Sequence, residues 1–171
     1  HGIQSWMALP DDEEEREPAF QHYPAADLPD IDMNGVSVRV IIGDAYGHAS
    51  PVHAYSSTLY LECVMPEGSE LTLPDQYPEL AAYVVSGSIT IDDRSLVSGV
   101  MAVARENAAM ALRANEESRV MVIGGEPLGR RHIYWNFVSS SKERIEQAKS
   151  DWRERKFGEI PGEHEFIPLP D

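Results

Sequence analysis

Between Gly35 and Val138 the chain is a series of short runs broken by turn residues, and this spacing restricts it to an antiparallel sandwich or barrel. Val36, Val38, Val40 and Ile42 alternate with Ser37, Arg39 and Ile41, the pattern of a half-buried strand. Thr58–Val64 forms a second strand and ends at Pro66-Glu67-Gly68. Further strands are predicted at Glu70–Leu73, Ala81–Val85, Ser88–Ile91, Leu96–Val97, Val100–Val103, Ala109–Arg113, Arg119–Ile123 and Ile133–Val138, with Asp92-Asp93 as a turn. No apolar stretch approaches the roughly 20 residues a membrane span needs.

One helix interrupts this pattern. Ser140-Ser141-Lys142-Glu143 reads as a capping box with Ser140 at the cap. Ile145, Ala148 and Trp152 follow at helical spacing, Arg153, Arg155 and Lys156 suit the negative end of the helix dipole, and Gly158 is the expected stop. Trp152 reads as the anchor of this helix on the barrel, with ligand stacking as the competing reading. Glu159–Asp171, with Pro161, Pro168 and Pro170, is expected to be an extended strap touching the body through Phe166 and Ile167.

The opening residues are strand-like, with Ile3, Ser5 and Met7 on one face and Gln4, Trp6 and Ala8 on the other. A chain that opens in mid-strand reads as a piece of a longer protein. Its unpaired edge predicts that His1–Pro10 pairs with a second chain, as in a homodimer, or packs irregularly. Asp11–Pro18 reads as a solvated acidic loop, with docking of a basic partner or a cation as the alternative. Phe20–Pro29 reads as an ordered arm held by Tyr23, Leu28 and Ile31.

The 171 residues suit one large domain, or one with long extensions, and 42% are hydrophobic, enough for a core. A net charge of −15 disfavours direct nucleic-acid binding but leaves contact with a basic protein open. The single cysteine, Cys63, forbids an intrachain disulfide and lies in an apolar run where a buried, inert thiol is expected. With no basic region or long apolar run in His1–Pro10, the cytoplasm is the expected compartment.

Chemistry-bearing residues are sparse. His48 and His53 share a Gly/Ser/Pro loop region, His22, His132 and His164 are scattered, and His1 is terminal. There is no G-x-S-x-G, phosphate loop or HExxH, and Ser139-Ser140-Ser141 reads as a helix entry rather than a nucleophile.

Pro66-Glu67-Gly68, followed by Tyr83-Val84-Val85-Ser86-Gly87-Ser88-Ile89, resembles the first motif of a cupin, and Gly99 with its following strand resembles the start of the second. The fold expected is therefore all-β: a cupin (RmlC-like) double-stranded β-helix, or jelly-roll barrel, with one C-terminal α-helix. Metal-binding cupins carry three histidines and a glutamate at set positions of these motifs. In this chain the counted positions fall on Pro74, Gln76, Leu80 (beside Glu79) and Met110, so no metal, cofactor or catalytic residue is expected in this barrel.

His1–Trp6, Glu17-Pro18 with Tyr23-Pro24 and Ile31, Gly35–Gly43, Thr58–Leu61, Gly124-Gly125-Glu126-Pro127-Leu128, and Phe137-Val138 with Glu143, Ile145, Ala148 and Gly158 together resemble the C-terminal half of the pirin family. The resemblance implies two stacked cupins in the complete protein. It implies iron in the N-terminal cupin, upstream of His1, and either quercetin 2,3-dioxygenase activity or redox-linked co-regulation of transcription. It divides this chain into an arm left from the N-terminal cupin (1–34), a C-terminal cupin barrel (35–138) and a helix with its tail (139–171). The N-terminal cupin is then its first partner, with a regulatory protein as a further one. Two alternatives stand beside this reading: an acidic protein-interaction module, and a metal-free cupin binding a small apolar molecule among Tyr60, Tyr83, Leu80, Met101 and Met110. For those five residues the competing reading is simple core filling. His48–Ser57 and Glu159–Asp171 match no motif of the family.

Overall fold

The computed structural model describes residues 2–105, 108–158 and 161–170. Contacts divide the chain into two compact units, Pro18–Pro127 and His1–Glu17 with Leu128–Asp171.

The larger unit holds β1 (Asp30–Met33), β2 (Val36–Ile42), β3 (Asp44–Ala45), β4 (His48–Ala49), β5 (Thr58–Met65), β6 (Glu70–Thr72), β7 (Glu79–Ser86), β8 (Ser88–Ile91), β9 (Arg94–Val97), β10 (Met101–Val103), β11 (Ala111–Ala114) and β12 (Ser118–Gly125). A six-stranded sheet runs β1-β2-β5-β12-β7-β10, a four-stranded sheet runs β6-β11-β8-β9, and β3-β4 is a small hairpin. The neighbouring strands pair antiparallel. This is the all-β cupin arrangement expected from the motifs.

Alternation sets which side chains face inward. In β5, Leu59, Leu61, Cys63 and Met65 are buried while the residues between them are half-buried. They join Val36, Val38 and Val40 of β2, Val84 of β7, Val120 and Val122 of β12, and Ile89 and Leu112 from the second sheet in one core. Asp92 and Asp93 both have positive φ, 48° and 61°. That is what a two-residue primed turn requires, and it pairs Ile91 with Arg94.

Gly87 shows why the Tyr-Val-x-x-Gly run ends as it does. Its φ is +80°, and an added Cβ would lie 2.4 Å from the Glu117 carbonyl oxygen and 2.4 Å from Ser118 Oγ. Gly99 shares the positive φ, +87°, but faces open space. One glycine answers both to backbone conformation and to close approach, the other to conformation alone.

Cys63 is fully buried in β5. Burial, with the Glu62 carboxylate adding to it, pushes its thiol from 9.0 up to about 12. The native state therefore keeps the proton after the unfolded chain has lost it. No stability is at stake at neutral pH, but stability falls as pH rises from about 9 toward about 12. Iodoacetamide at pH 8 is expected to leave the folded chain unlabelled and to alkylate it fully in urea. Labelling of the folded protein at the rate of a free thiol would contradict the burial.

The smaller unit contains β13 (His132–Tyr134), β14 (Phe137–Ser139) and α1 (Lys142–Arg153). The strand expected over Ile133–Val138 is in fact this hairpin, reversed at Trp135, whose φ is +51°. The expected opening strand is not formed: Gly2–Pro10 carries no regular secondary structure.

The helix is capped one residue later than the sequence implied. Ser141, not Ser140, is the N-cap, its Oγ accepting from the Arg144 N–H at 3.2 Å. The Ser140 hydroxyl is turned away from the helix and donates to Glu14 Oε2 at 3.1 Å. The helix ends at Arg153, and the stop position falls on Arg155 rather than Gly158. Lys156 N–H bonds to the Asp151 carbonyl and Arg155 N–H to that of Trp152. This is a Schellman closure with Arg155, at φ +57°, in the left-handed place a glycine commonly takes.

These boundaries differ from the expected division at 34/35 and 138/139. β1 pairs along its whole length with β2 and so belongs to the six-stranded sheet, while β13, β14 and α1 group with the opening segment.

Candidate functional site

The positions where a metal-binding cupin would carry three histidines and a glutamate offer no imidazole and no carboxylate. Leu80 and Met110 lie in the hydrophobic core, each 4% exposed, and Pro74 is buried beside them in the chain's path. Gln76 is exposed, and its amide donates to the Asp44 carbonyl at 3.1 Å and to Asp44 Oδ2 at 2.8 Å. Among the described residues no group of three His, Cys, Asp or Glu side chains gathers at one point. The residues present do not fit iron, and no chemical step through a metal follows from them.

The interior alternative meets a similar obstacle. Of the five residues considered as a cavity lining, only Leu80 and Met110 point inward, and both are packed in the core. Tyr60 and Tyr83 are the half-buried alternates between buried neighbours in β5 and β7, and Met101 of β10 is 48% exposed. Met101 lies opposite Tyr83, and Tyr83 opposite Met121, on the outer face of the six-stranded sheet. Strand parity decides this: each sits one residue out of phase with the inward set.

What the larger unit does offer is a shallow hollow of about 290 Å³ at the β3–β4 hairpin, lined by residues including Asp44, Ser50, Val52, Thr58 and Tyr77. Tyr77 is 4% exposed, and its hydroxyl donates to the Asp44 carbonyl at 3.0 Å and accepts from the Asp44 N–H at 3.1 Å. Burial is the first cause that raises the Tyr77 phenol. Its polar atoms thus serve to hold the hairpin. No sequence signal marked this hollow, since much of its lining comes from His48–Ser57, which matched no family motif.

The histidines stay apart from it. His48 is exposed, its Nδ1 3.0 Å from the Tyr46 carbonyl oxygen, and His53 packs on Tyr55 with ring centroids 4.7 Å apart. His1 lies outside the described residues.

The acidic loop is more structural than its composition implied. Glu14 accepts from Ser140 N–H at 2.7 Å, Ser139 Oγ at 2.9 Å and Ser140 Oγ at 3.1 Å, and lies 3.2 Å from Arg131 Nε. Arg131 also meets Asp11 Oδ1 at 2.7 Å and donates to the carbonyls of Leu9 and Leu128. Glu15 pairs with Arg144, and Glu13 with Arg16. The hydrogen bond from Arg144 holds the exposed Glu15 carboxyl below the usual range. Sequence inspection could not pair Asp11, Glu14 and Glu15, because their partners are more than 100 positions away.

An antiparallel barrel of this topology, with Leu80 and Met110 packed in its core, defines a cupin fold. Residues 60–158 match the pirin C-terminal cupin domain family. The chain belongs to the pirin family. It is 45% identical over 172 aligned positions to a pirin-like protein of Caulobacter vibrioides, covering 99% of this chain and 60% of that protein. It is 31% identical to human pirin over 92% of this chain and 57% of that protein. A crystal structure of quercetin 2,3-dioxygenase from Acinetobacter baumannii superposes with a TM-score of 0.88 at 26% identity, covering 97% of this chain and 57% of that one. The chain thus spans less than two thirds of the length of these relatives. No helix among the described residues is long and apolar enough to cross a membrane.

Proposed function

We propose that this chain is the metal-free partner barrel of a two-cupin, pirin-like protein, supporting a metal-dependent N-terminal cupin that lies outside these residues. The observation that carries the reading is the packing of Leu80 and Met110 into a continuous apolar core where a metal-binding cupin would place ligands. The complete protein is then either a quercetin 2,3-dioxygenase or a redox-linked co-regulator of transcription, with iron in the other barrel and the cytoplasm as its compartment. Likeness to human pirin and to a quercetin 2,3-dioxygenase supports this.

Iron content and quercetin turnover should be measured on this chain and on a two-barrel protein that includes it. The expected result is iron and turnover in the longer protein, and neither in this chain above the level of a metal-free control. Stoichiometric iron with flavonol turnover in this chain alone would overturn the assignment.

The acidic-module alternative is weaker, because Asp11, Glu13, Glu14 and Glu15 are all engaged in ion pairs within their own unit.

A further inference from the structure

The residues Phe166–Pro170 form no regular secondary structure, yet they are seated as a bound peptide would be. Phe166 stacks on Trp152, with ring centroids 5.7 Å apart and planes 23° from parallel. The Trp152 indole N–H donates to the Ile167 carbonyl at 2.9 Å, and the Tyr134 hydroxyl donates to the Pro170 carbonyl at 2.6 Å. The Arg155 guanidinium lies 4.6 Å over the Phe166 ring.

The sequence of this strap explains why two aromatic donors suffice. Pro168 and Pro170 have fixed φ and no N–H, and Ile167 and Leu169, each preceding a proline, are pushed to extended conformations. A polyproline-type helix repeats every three residues, so carbonyls three apart face the same side. Ile167 and Pro170 are three apart, and theirs are the two carbonyls that receive hydrogen bonds. Trp135, Phe137 and Phe157 hold the Trp152 ring at 5.0, 6.3 and 5.8 Å, so the donor is fixed before any peptide arrives. A hollow of about 600 Å³ beside the strap is rimmed by Lys149 and Arg153. Aromatic-lined grooves with donors aimed at carbonyls are a general means of recognising preformed proline-rich segments.

We propose that the aromatic face of α1 and the β13–β14 hairpin is a recognition groove for extended proline-containing peptides. The chain's own tail is its resident occupant, and a partner protein's segment of the same pattern (aromatic, aliphatic, Pro, any residue, Pro, with an acidic flank suited to Arg153) replaces it. The proposal is independent of any metal chemistry in the complete protein.

The test uses the full chain and a fluorescein-labelled peptide of the sequence Glu-Phe-Ile-Pro-Leu-Pro, read by anisotropy and by the Trp152 indole N–H resonance. A tethered tail competes at roughly millimolar effective concentration. The peptide should therefore bind the parent chain weakly, and a Pro168→Ala/Pro170→Ala chain at least about tenfold more tightly. Trp152→Phe, made in the proline variant so that the tail no longer competes, keeps an aromatic ring and removes the donor, and should weaken binding there about fivefold, the worth of one hydrogen bond. No saturable binding by the parent chain up to several millimolar peptide would overturn the proposal. So would equal binding of a peptide with both prolines replaced by alanine, or no loss with Trp152→Phe. If the proline variant fails to fold, the parent-chain titration and the peptide comparison still decide.

Discussion

Glu14→Ala should release the opening segment from the smaller unit and cost that unit about 3–5 kcal/mol, the range for removing one partner of a buried ion pair. Glu14 and Arg131 have side chains only 13% and 10% exposed. Removing the carboxylate leaves the Arg131 guanidinium without its buried counter-ion and the Ser140 N–H and Ser139 hydroxyl without their acceptor. Asp11 still faces Arg131 at 2.7 Å, but its side chain is 73% exposed and so interacts through solvent. Hydrogen exchange should show protection lost across residues 2–17, β14 and the first turn of α1. The larger unit should keep its protection, because its core draws on none of these residues. Glu15→Ala, which removes an exposed pair, should change little. If Glu14→Ala left exchange in the smaller unit unaltered, the clamp would have no energetic weight.

Gly87→Ala should destabilise the barrel by about 3–4 kcal/mol in urea denaturation, the sum of left-handed strain and a backbone clash. The new methyl would lie 2.4 Å from the Glu117 carbonyl oxygen and 2.8 Å from Ser118 Cα. Neither is the end of a flexible side chain, so β12 itself must move. Ser118 is 2% exposed, and its Oγ accepts from the Ser88 N–H at 3.0 Å while its hydroxyl is within donating distance of the carbonyls of Ser88 and Glu116. Displacing it leaves buried polar groups unsatisfied at the start of the central strand. Gly99→Ala is the control: its φ is as positive, but nothing lies within 4 Å. It should cost about 1–2 kcal/mol, the conformational strain alone. Equal losses at the two glycines would mean that close approach contributes nothing.

The sheet was legible because burial enforces alternation. Val36–Ile42 and Thr58–Val64 announce their strands, and Asp92-Asp93 its turn, because local periodicity and local turn chemistry both act within a few residues. The empty ligand positions could likewise be counted, since motif glycines fix distance along the strand. The helix ends were misplaced by one and by three residues for a different reason. Ser140 lost the cap to a carboxylate 126 positions away, and Arg155 rather than Gly158 closed the last turn. The Ile133–Val138 run looked like one strand because its pattern hides the Trp135 reversal.

By itself the sequence determined an antiparallel cupin barrel, its pirin-type motifs, and the absence of imidazole or carboxylate at Pro74, Gln76, Leu80 and Met110, since these follow from residue type and local spacing. Only the tertiary structure decided that Tyr60, Tyr83 and Met101 face out of the barrel, that Asp11, Glu14 and Glu15 pair with Arg131 and Arg144, and that Phe166–Pro170 lies against Trp152 and Tyr134. Each of these depends on which distant residue arrives opposite. Charge and hydropathy along a chain carry no record of that partner until packing brings the two together.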